Sequence, residues 1–135
     1  MGKLGLILLD THVAFWLLSE PRKLSPKAVS AIRNCRAQGD GVAIVDISLL
    51  EIAGLVRKKR IQTAISVSEL LREFQARFVV RPITAEASAK TLELPPDYPK
   101  DPADRIIAAT AIVEAMPLVT ADRTILRCAI LNAVW

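Results

Sequence analysis

Residues 4–18 read LGLILLDTHVAFWLL, and this stretch predicts the type of fold. The apolar run before Asp10 has the length and composition of a buried strand. Asp10 ends the run, and THVAFWLL then has the pattern of a helix that opens directly after the strand. A buried strand that leads into a helix is the unit from which parallel sheets are built.

The same alternation continues along the chain. Further strands are predicted at VAIVDI (42–47), VVRPI (79–83), PLVT (117–120) and ILNAVW (130–135). Helices are predicted at LSPKAVSAIRNCRAQG (24–39), SLLEIAGLVRKKR (48–60), VSELLREFQARF (67–78), TAEASAKTLEL (84–94), ADRIIAATAIVEA (103–115) and DRTILRC (122–128). Ser25 suits the cap of the first of these helices, and Gly39 suits its end. The pattern predicts an α/β fold with a mostly parallel sheet covered on both faces.

Length and composition predict a single cytoplasmic domain. The chain has 135 residues, so we expect one domain over residues 1–135. Although 52% of the residues are hydrophobic, no run approaches the roughly 18 apolar residues of a membrane helix, and we expect no membrane contact. MGKLGLILLD (1–10) lacks the cleavage site of a signal peptide. Cys35 and Cys128 are single and far apart, which predicts buried thiols and no zinc site. The net charge of +4 slightly favours a polyanionic partner.

Acidic residues follow several of the predicted strands. Ligands of parallel α/β sheets bind in the crevice outside the carboxyl ends of the strands. Four acids fall at or just beyond those ends, and a fifth precedes one of them by a turn: Asp10, Glu51, Asp104, Asp122 and Asp101. The other glutamates (Glu69, Glu73, Glu86, Glu93 and Glu114) lie within or near helices, where we expect solvated faces.

Each acid near a strand end also has a structural interpretation, which the residues alone leave open. Glu51 stands three residues after Ser48, the spacing of a capping box in which the glutamate accepts from the backbone N–H of the cap residue. Asp101 suits the cap of a helix whose first turn holds Asp104, where the helix dipole favours a carboxylate. The remaining acids also suit helix caps: Asp122, and Asp10 in competition with Thr11.

Taken together, the acids favour a metal site, because unrelated caps would not all fall on one edge of the sheet. Converging carboxylates raise one another's pKa values unless a cation offsets their repulsion. Oxygen ligands without histidine or cysteine suit Mg²⁺ or Mn²⁺. Such ions activate water for attack on a phosphodiester and stabilise the leaving oxygen.

Four segments resemble, in order, the motifs of PIN-domain ribonucleases of the VapC toxin kind. LLDTHVAFWLL carries Asp10, and ISLLEIAGLVRKKRI carries Glu51. DPADRIIAATA carries Asp104 together with Asp101, the extra acid of one subgroup, and LVTADRTI carries Thr120 and Asp122. The resemblance covers nearly the whole chain, and four motifs in order are a specific signal, whereas any one alone is weak.

The resemblance implies a PIN-like three-layer α/β/α fold and an Mg²⁺-dependent endoribonuclease. It also implies a toxin that is usually a homodimer, acts on RNA and is inhibited by a cognate antitoxin. The predicted roles are shared among the acids and two threonines. Asp10, Glu51, Asp104 and Asp122 are predicted to be catalytic, with Asp10, Asp104 and Asp122 on the metal, and the supporting residues are Asp101, Thr120 and Thr11.

Several residues besides these acids also have candidate roles. The basic run at the end of a predicted helix is predicted to grip RNA phosphates, although cations there also complement the helix dipole; it comprises Arg57, Lys58, Lys59 and Arg60. His12 is interpreted as structural, and Phe15 and Trp16 as core or dimer surface. Asp46, inside an apolar strand, suits either a hydrogen bond at the end of the sheet or a supporting role near the site.

Three rival classes explain the pattern less well. A phosphoacceptor receiver module needs an acidic pair after its first strand, but here Asp10 is followed by Thr11 and His12. A dinucleotide-binding domain needs a glycine-rich turn, and the chain has five glycines and no GxGxxG. An inactive PIN-like scaffold or RNA-binding module would not require the full acidic set.

Overall fold

The computed structural model describes residues 5–135, so Leu4, where the first predicted strand begins, lies outside the described residues. All five predicted strands are present within this range, and every pairing between them is parallel. The strand order is β3-β2-β1-β4-β5. The strands are β1 (Ile7–Leu9), β2 (Val42–Val45), β3 (Val79–Arg81), β4 (Leu118–Val119) and β5 (Ala133–Val134). In the register, Leu8 pairs with Ala43 of β2 and Leu118 of β4.

The helices connect the strands as the alternation predicted. They are α1 (Thr11–Ser19), α2 (Pro26–Ala37), α3 (Ile47–Arg57), α4 (Val67–Arg77), α5 (Ala85–Lys90), α6 (Pro102–Val113) and α7 (Arg123–Leu126), with short 3-10 turns at Pro21–Lys23 and Thr91–Glu93. The caps of α2 are confirmed: Ser25 Oγ accepts from Ala28 N at 3.1 Å. Gly39 follows the helix with φ +80°, a backbone conformation that favours glycine. No helix within residues 5–135 is long and apolar enough to span a membrane.

The sheet has a separate apolar core on each face. Successive strand residues point to opposite faces, so Ile7 and Leu9 pack with α1 to α4, whereas Leu8 packs with α6 and α7. The helix α5 packs on α6, where Ala87 joins Ile106. The result is the predicted three-layer α/β/α arrangement.

The strand order places the crevice between β1 and β4. The chain builds outward from β1 through β2 to β3, and it then returns to the other side of β1 to form β4 and β5. Connections therefore leave β1 and β4 in opposite directions, and ligands of open α/β sheets bind at such a point. Asp10 N donates to Val119 O at 3.0 Å, so the first acid of the chain lies beside the end of β4.

Three local predictions were wrong. The helix α3 begins at Ile47, so Ser48 is not its cap and no capping box joins Ser48 to Glu51. Glu114 is not simply solvated, because it is partly buried and pairs with Arg81 at 2.7 Å. Cys128 is only partly buried, whereas Cys35 is buried as predicted.

Candidate metal centre

The acids predicted from the strand ends lie in one cavity of about 400 Å³ at the carboxyl edge of the sheet. The cavity is lined by Asp10, Glu51, Asp101, Asp104 and Asp122. One carboxylate oxygen from each of Glu51, Asp101 and Asp104 lies within 4.8 Å of the others. Acids that are far apart in the sequence therefore lie together in one cluster.

Asp10 connects the ends of the two central strands. It caps α1, and its Oδ1 accepts from Thr11 N at 2.9 Å. Its Oδ2 accepts from the hydroxyl of Thr120, at the end of β4, at 2.8 Å. Thr120 is fully buried, and its Oγ1 also accepts from Asp122 N at 3.1 Å. Thr120 therefore orients Asp10 and holds the backbone of Asp122 in the same site.

Glu51 is held by a short chain of hydroxyl groups. The Thr11 hydroxyl donates to Glu51 Oε1. Because Thr11 has one hydroxyl hydrogen, Ser48 is the donor in its 2.8 Å contact with Thr11 Oγ1. Ser48 and Thr11 are both buried, so this chain positions Glu51 from inside the protein.

The start of α6 carries two further acids. Asp101 caps the helix, since its Oδ1 accepts from Ala103 N at 2.8 Å, as predicted. Asp104 lies in the first turn and is partly buried, and the Tyr98 hydroxyl donates to its backbone carbonyl at 3.1 Å. Arg105 fastens the preceding loop by donating to Pro99 O at 3.2 Å. Within residues 5–135, no hydrogen bond is made to the Asp104 carboxylate.

Asp122 enters the cavity from the start of α7. It is exposed, and its Oδ1 caps α7 by accepting from Thr124 N at 2.8 Å and Ile125 N at 3.2 Å. The structural and functional interpretations of Asp10, Asp101 and Asp122 are thus compatible, because each acid caps a helix and also lines the cavity.

Burial and mutual repulsion raise the pKa values of the clustered carboxyl groups, and a bound cation would offset this effect. Burial, followed by the charges of Asp10, Asp101, Glu51 and Asp122, raises the pKa of Asp104 to about 7. Burial also raises the pKa values of Asp10 and Glu51, although hydrogen bonds from threonine partly offset the effect. No lysine or arginine of the described chain lines the cavity. The five carboxylates and their uncompensated charge fit a hard divalent cation.

Two aromatic residues also line the cavity, and the sequence did not predict a role in the cavity for either of them. His12 is exposed and Trp16 is partly buried, whereas neighbouring Phe15 is buried in the core as predicted. His12 and Trp16 are four residues apart in α1, and such residues share one face of a helix. Their spacing after Asp10, which caps the helix, could have predicted that both side chains lie at the cavity.

The remaining candidates lie outside the cavity lining. The basic run Arg57, Lys58, Lys59 and Arg60 is exposed at the far end of α3. Arg57 lies about 9 Å along the helix axis beyond Glu51. Asp46 precedes α3, and its Oδ1 is buried without a hydrogen-bond partner among the described residues.

Comparisons with known proteins agree with this arrangement. The PIN domain family matches residues 7–131. Ribonuclease VapC22 of Mycobacterium tuberculosis is 42% identical over 117 residues, which are 87% of this chain and 87% of that protein. The structure of VapBC2 from Rickettsia felis, bound to a promoter DNA fragment, has a chain with a TM-score of 0.71 and 20% identity, covering 95% of this chain and 96% of that one. A toxin–antitoxin complex from Klebsiella pneumoniae has a TM-score of 0.64 at 20% identity, with coverages of 93% and 94%. These structural similarities show the same fold.

Proposed function

The chain belongs to the PIN-domain family, and from this premise we propose that it is a metal-dependent endoribonuclease that acts as a toxin. The observation that carries the proposal is the convergence of five carboxylates in the crevice between β1 and β4, with no lysine or arginine among the lining residues of the described range 5–135. The 42% identity to a protein named as a ribonuclease supports RNA as the substrate.

From the resemblance of the sequence motifs we assign the metal to Asp10, Asp104 and Asp122, with Asp101 beside Asp104. Mg²⁺ is the proposed ion and Mn²⁺ its substitute, because both prefer carboxylate and water oxygens. When bound, such an ion supplies positive charge for the substrate phosphate and lowers the pKa of water so that water can attack.

The residues of the chain perform the remaining tasks. Thr120 and the backbone N–H of Thr11 fix both oxygens of Asp10, so this ligand cannot rotate away from the cavity. Glu51, held by the Thr11 hydroxyl, is the carboxylate we assign to accept a proton from the attacking water. Burial raises its pKa, and a carboxylate with a raised pKa is a better proton acceptor.

The proposed partners follow from charge and from the similar structures. The acidic cavity is complementary to a basic segment, so we propose that a cognate antitoxin inserts such a segment and blocks the site. Two of the similar structures are a toxin–antitoxin complex and VapBC2 bound to a DNA fragment, which supports an antitoxin partner. We also propose a homodimer and a cytoplasmic location, where cellular RNA is accessible to the enzyme.

Cleavage of labelled RNA tests the proposed function. We expect nicking with Mg²⁺ or Mn²⁺ and none in EDTA, and no activity with Zn²⁺ alone. Asp10→Asn and Asp104→Asn should each abolish cleavage without unfolding the protein, because both groups lie at the sheet edge. Full activity in EDTA would refute the metal requirement, and RNA binding without any nicking would indicate an inactive scaffold.

A further inference from the structure

A patch at the mouth of the acidic cavity combines aromatic rings with a cation. We call it the aromatic rim, and it consists of His12, Trp16 and Lys23. The rings of His12 and Trp16 have centroids 6.0 Å apart and planes inclined by 54°. Lys23 Nζ lies 5.8 Å from the Trp16 ring centroid. The rim therefore combines two tilted aromatic rings that line the acidic cavity with a lysine beside the Trp16 ring.

The aromatic rim packs against the core only in part, through Trp16. On α1 the buried face consists of Val13, Ala14 and Phe15, whereas His12 is exposed. Trp16 is partly buried, and the ring centroid of Trp135 is 5.9 Å away. Trp16 therefore packs against the core and Trp135 with part of its surface and lines the cavity with another part.

The chemistry of the aromatic rim fits a nucleotide better than it fits a metal. Neither an indole nor a lysine ammonium is a ligand for a hard divalent cation. Unstacked nucleobases, by contrast, pack on tryptophan and histidine rings. Lysine contacts phosphates, and the pair that Lys23 forms with Glu20 at 3.3 Å is exposed and therefore weak enough to exchange.

Building on the proposed ribonuclease function, we propose that the aromatic rim binds one unpaired nucleotide beside the scissile phosphate. The base packs against His12 and Trp16, and the adjoining phosphate lies beside Lys23. A base that is paired and stacked in a duplex cannot present its face to these rings. The aromatic rim therefore selects single-stranded segments or loops of RNA over duplex RNA.

Intrinsic fluorescence tests this proposal directly, because the chain has two tryptophans and both belong to this region. We would titrate the wild-type protein in Ca²⁺, with the RNA checked for integrity, using an unpaired oligoribonucleotide and the same strand in a duplex. The unpaired strand should quench the fluorescence, and the duplex should quench it far less. Equal quenching by both strands would overturn the proposed selectivity.

Steady-state cleavage separates binding at the aromatic rim from chemistry. Trp16→Leu should raise KM for the unpaired strand by roughly 5- to 100-fold with little change in kcat, which is the range expected for one lost base stack. Trp16→Phe keeps a ring and should retain most of the affinity. His12→Ala, which removes an exposed side chain, provides the same test if Trp16→Leu does not fold. Lys23→Gln should reduce the salt dependence of binding.

The outcomes distinguish this proposal from the function on which it rests. If the wild-type protein does not cut RNA, the ribonuclease proposal fails. If the wild-type protein cuts RNA and Trp16→Leu and His12→Ala cut it with unchanged KM, the nucleotide subsite is refuted and the ribonuclease remains. Loss of antitoxin binding in these variants, with RNA kinetics unchanged, would likewise refute it and assign the aromatic rim to the protein partner.

Discussion

The hydroxyl group of Thr11 has one hydrogen, which it donates to Glu51, and this hydrogen bond affects the pKa of the Glu51 carboxyl group. Thr11 donates that hydrogen to Glu51 and accepts one from Ser48, so the three side chains form a directed chain. The hydrogen bond lowers the pKa of Glu51 against the larger effect of burial, which raises it. Thr11 is therefore a positioning residue, and its variants should alter the pH dependence of cleavage.

We predict that Thr11→Val shifts the acidic limb of the cleavage rate to higher pH. Without the donated hydrogen bond, the Glu51 carboxylate is less stabilised, so its pKa rises further. Thr11→Ser retains the hydroxyl and should keep the wild-type profile. The measurement is the pH profile of kcat at saturating Mg²⁺. Matching profiles for Thr11→Val and Thr11→Ser would show that the hydroxyl does not act through Glu51.

A second prediction concerns the stability of the metal-free protein. The pKa of Asp104 is about 7 in the folded state, above its ordinary 3.8, so the folded state holds this proton more tightly than the unfolded chain. The associated stabilisation is complete below the unfolded pKa and is lost as pH rises toward 7. Because Asp104 is partly exposed, we expect a loss of only about 1–2 kcal/mol between about pH 5 and pH 8.

The Asp104→Asn variant is the control for this pH dependence. In EDTA it should lose less stability than the wild type over the same range, and it should be the more stable protein near pH 8. Saturating Mg²⁺ should stabilise the wild type most at high pH, since the cation offsets the same repulsion. Urea unfolding at both pH values provides the measurement. Parallel pH dependences in EDTA for the two proteins would contradict the prediction.

Two segments with the same sequence spacing show which part of the site could not be predicted from the sequence. The spacing S-x-x-E occurs at Ser48–Glu51 and again at Ser66–Glu69, but only the second forms a capping box. At the first, the hydroxyl of Thr11, 40 residues before Glu51, takes the place of the cap's N–H as donor. Local spacing therefore located Glu51, but only the tertiary contact shows how the glutamate is used.

The ends of the helices carry most of the chemistry at the level of elements. The starts of α1, α6 and α7 deliver acids to the cavity, and alternation and capping signals predicted these starts well. The far end of α3 carries the basic run instead. There Lys59 has φ +59°, a left-handed conformation that a side chain disfavours. The α3 end therefore combines a charge proposed to bind RNA with a backbone that would favour glycine.

We predict that Lys59→Gly affects stability and RNA binding in opposite directions. Glycine removes the steric penalty at this position and should stabilise the fold by roughly 0.5–1 kcal/mol. The lost cation should weaken RNA binding and reduce its salt dependence by about one counterion. Urea unfolding and binding at several salt concentrations would measure the two effects. If affinity and salt dependence are unchanged, the basic run acts only on the helix dipole.

The Ser66–Glu69 capping box offers a matched control at the start of α4. Both of its hydrogen bonds are exposed, with Glu69 N donating to Ser66 Oγ at 3.1 Å. Ser66→Ala should destabilise the protein by about 1 kcal/mol through the lost cap. Cleavage should be unchanged at a temperature where the variant is folded, because this helix start lies outside the cavity. A loss of kcat in folded Ser66→Ala would show that α4 contributes to the site.

At the scale of the whole molecule, the strand order followed less directly from the sequence than the elements did. Alternation predicted parallel strands and covered faces, and both are confirmed. The placement of β4 beside β1 depends on long-range packing, such as Leu8 against Leu118. The strands are short and, apart from Arg81 in β3, apolar, so no local feature of PLVT specifies its neighbour.

The surface supports the proposed homodimer. Leu92 and Leu50 are large apolar side chains that are 87% and 69% exposed. We propose that these two side chains lie in the dimer interface. We predict that sedimentation shows a dimer at micromolar concentration and that Leu50→Ser combined with Leu92→Ser weakens it without unfolding the chain. A wild-type monomer under these conditions would refute the dimer.

The hydrogen bond between Asp10 and Thr120 joins residues that are 110 positions apart. This separation determines when the site is complete during synthesis of the chain. A ribosome releases the N-terminus first, so Asp10 and Glu51 emerge well before Asp104 and Asp122 exist. The site cannot close until β4, which follows Asp104 in the chain, pairs with β1. A nascent chain that ends before residue 104 therefore lacks two acids of the cavity, and we expect it to have no nuclease activity.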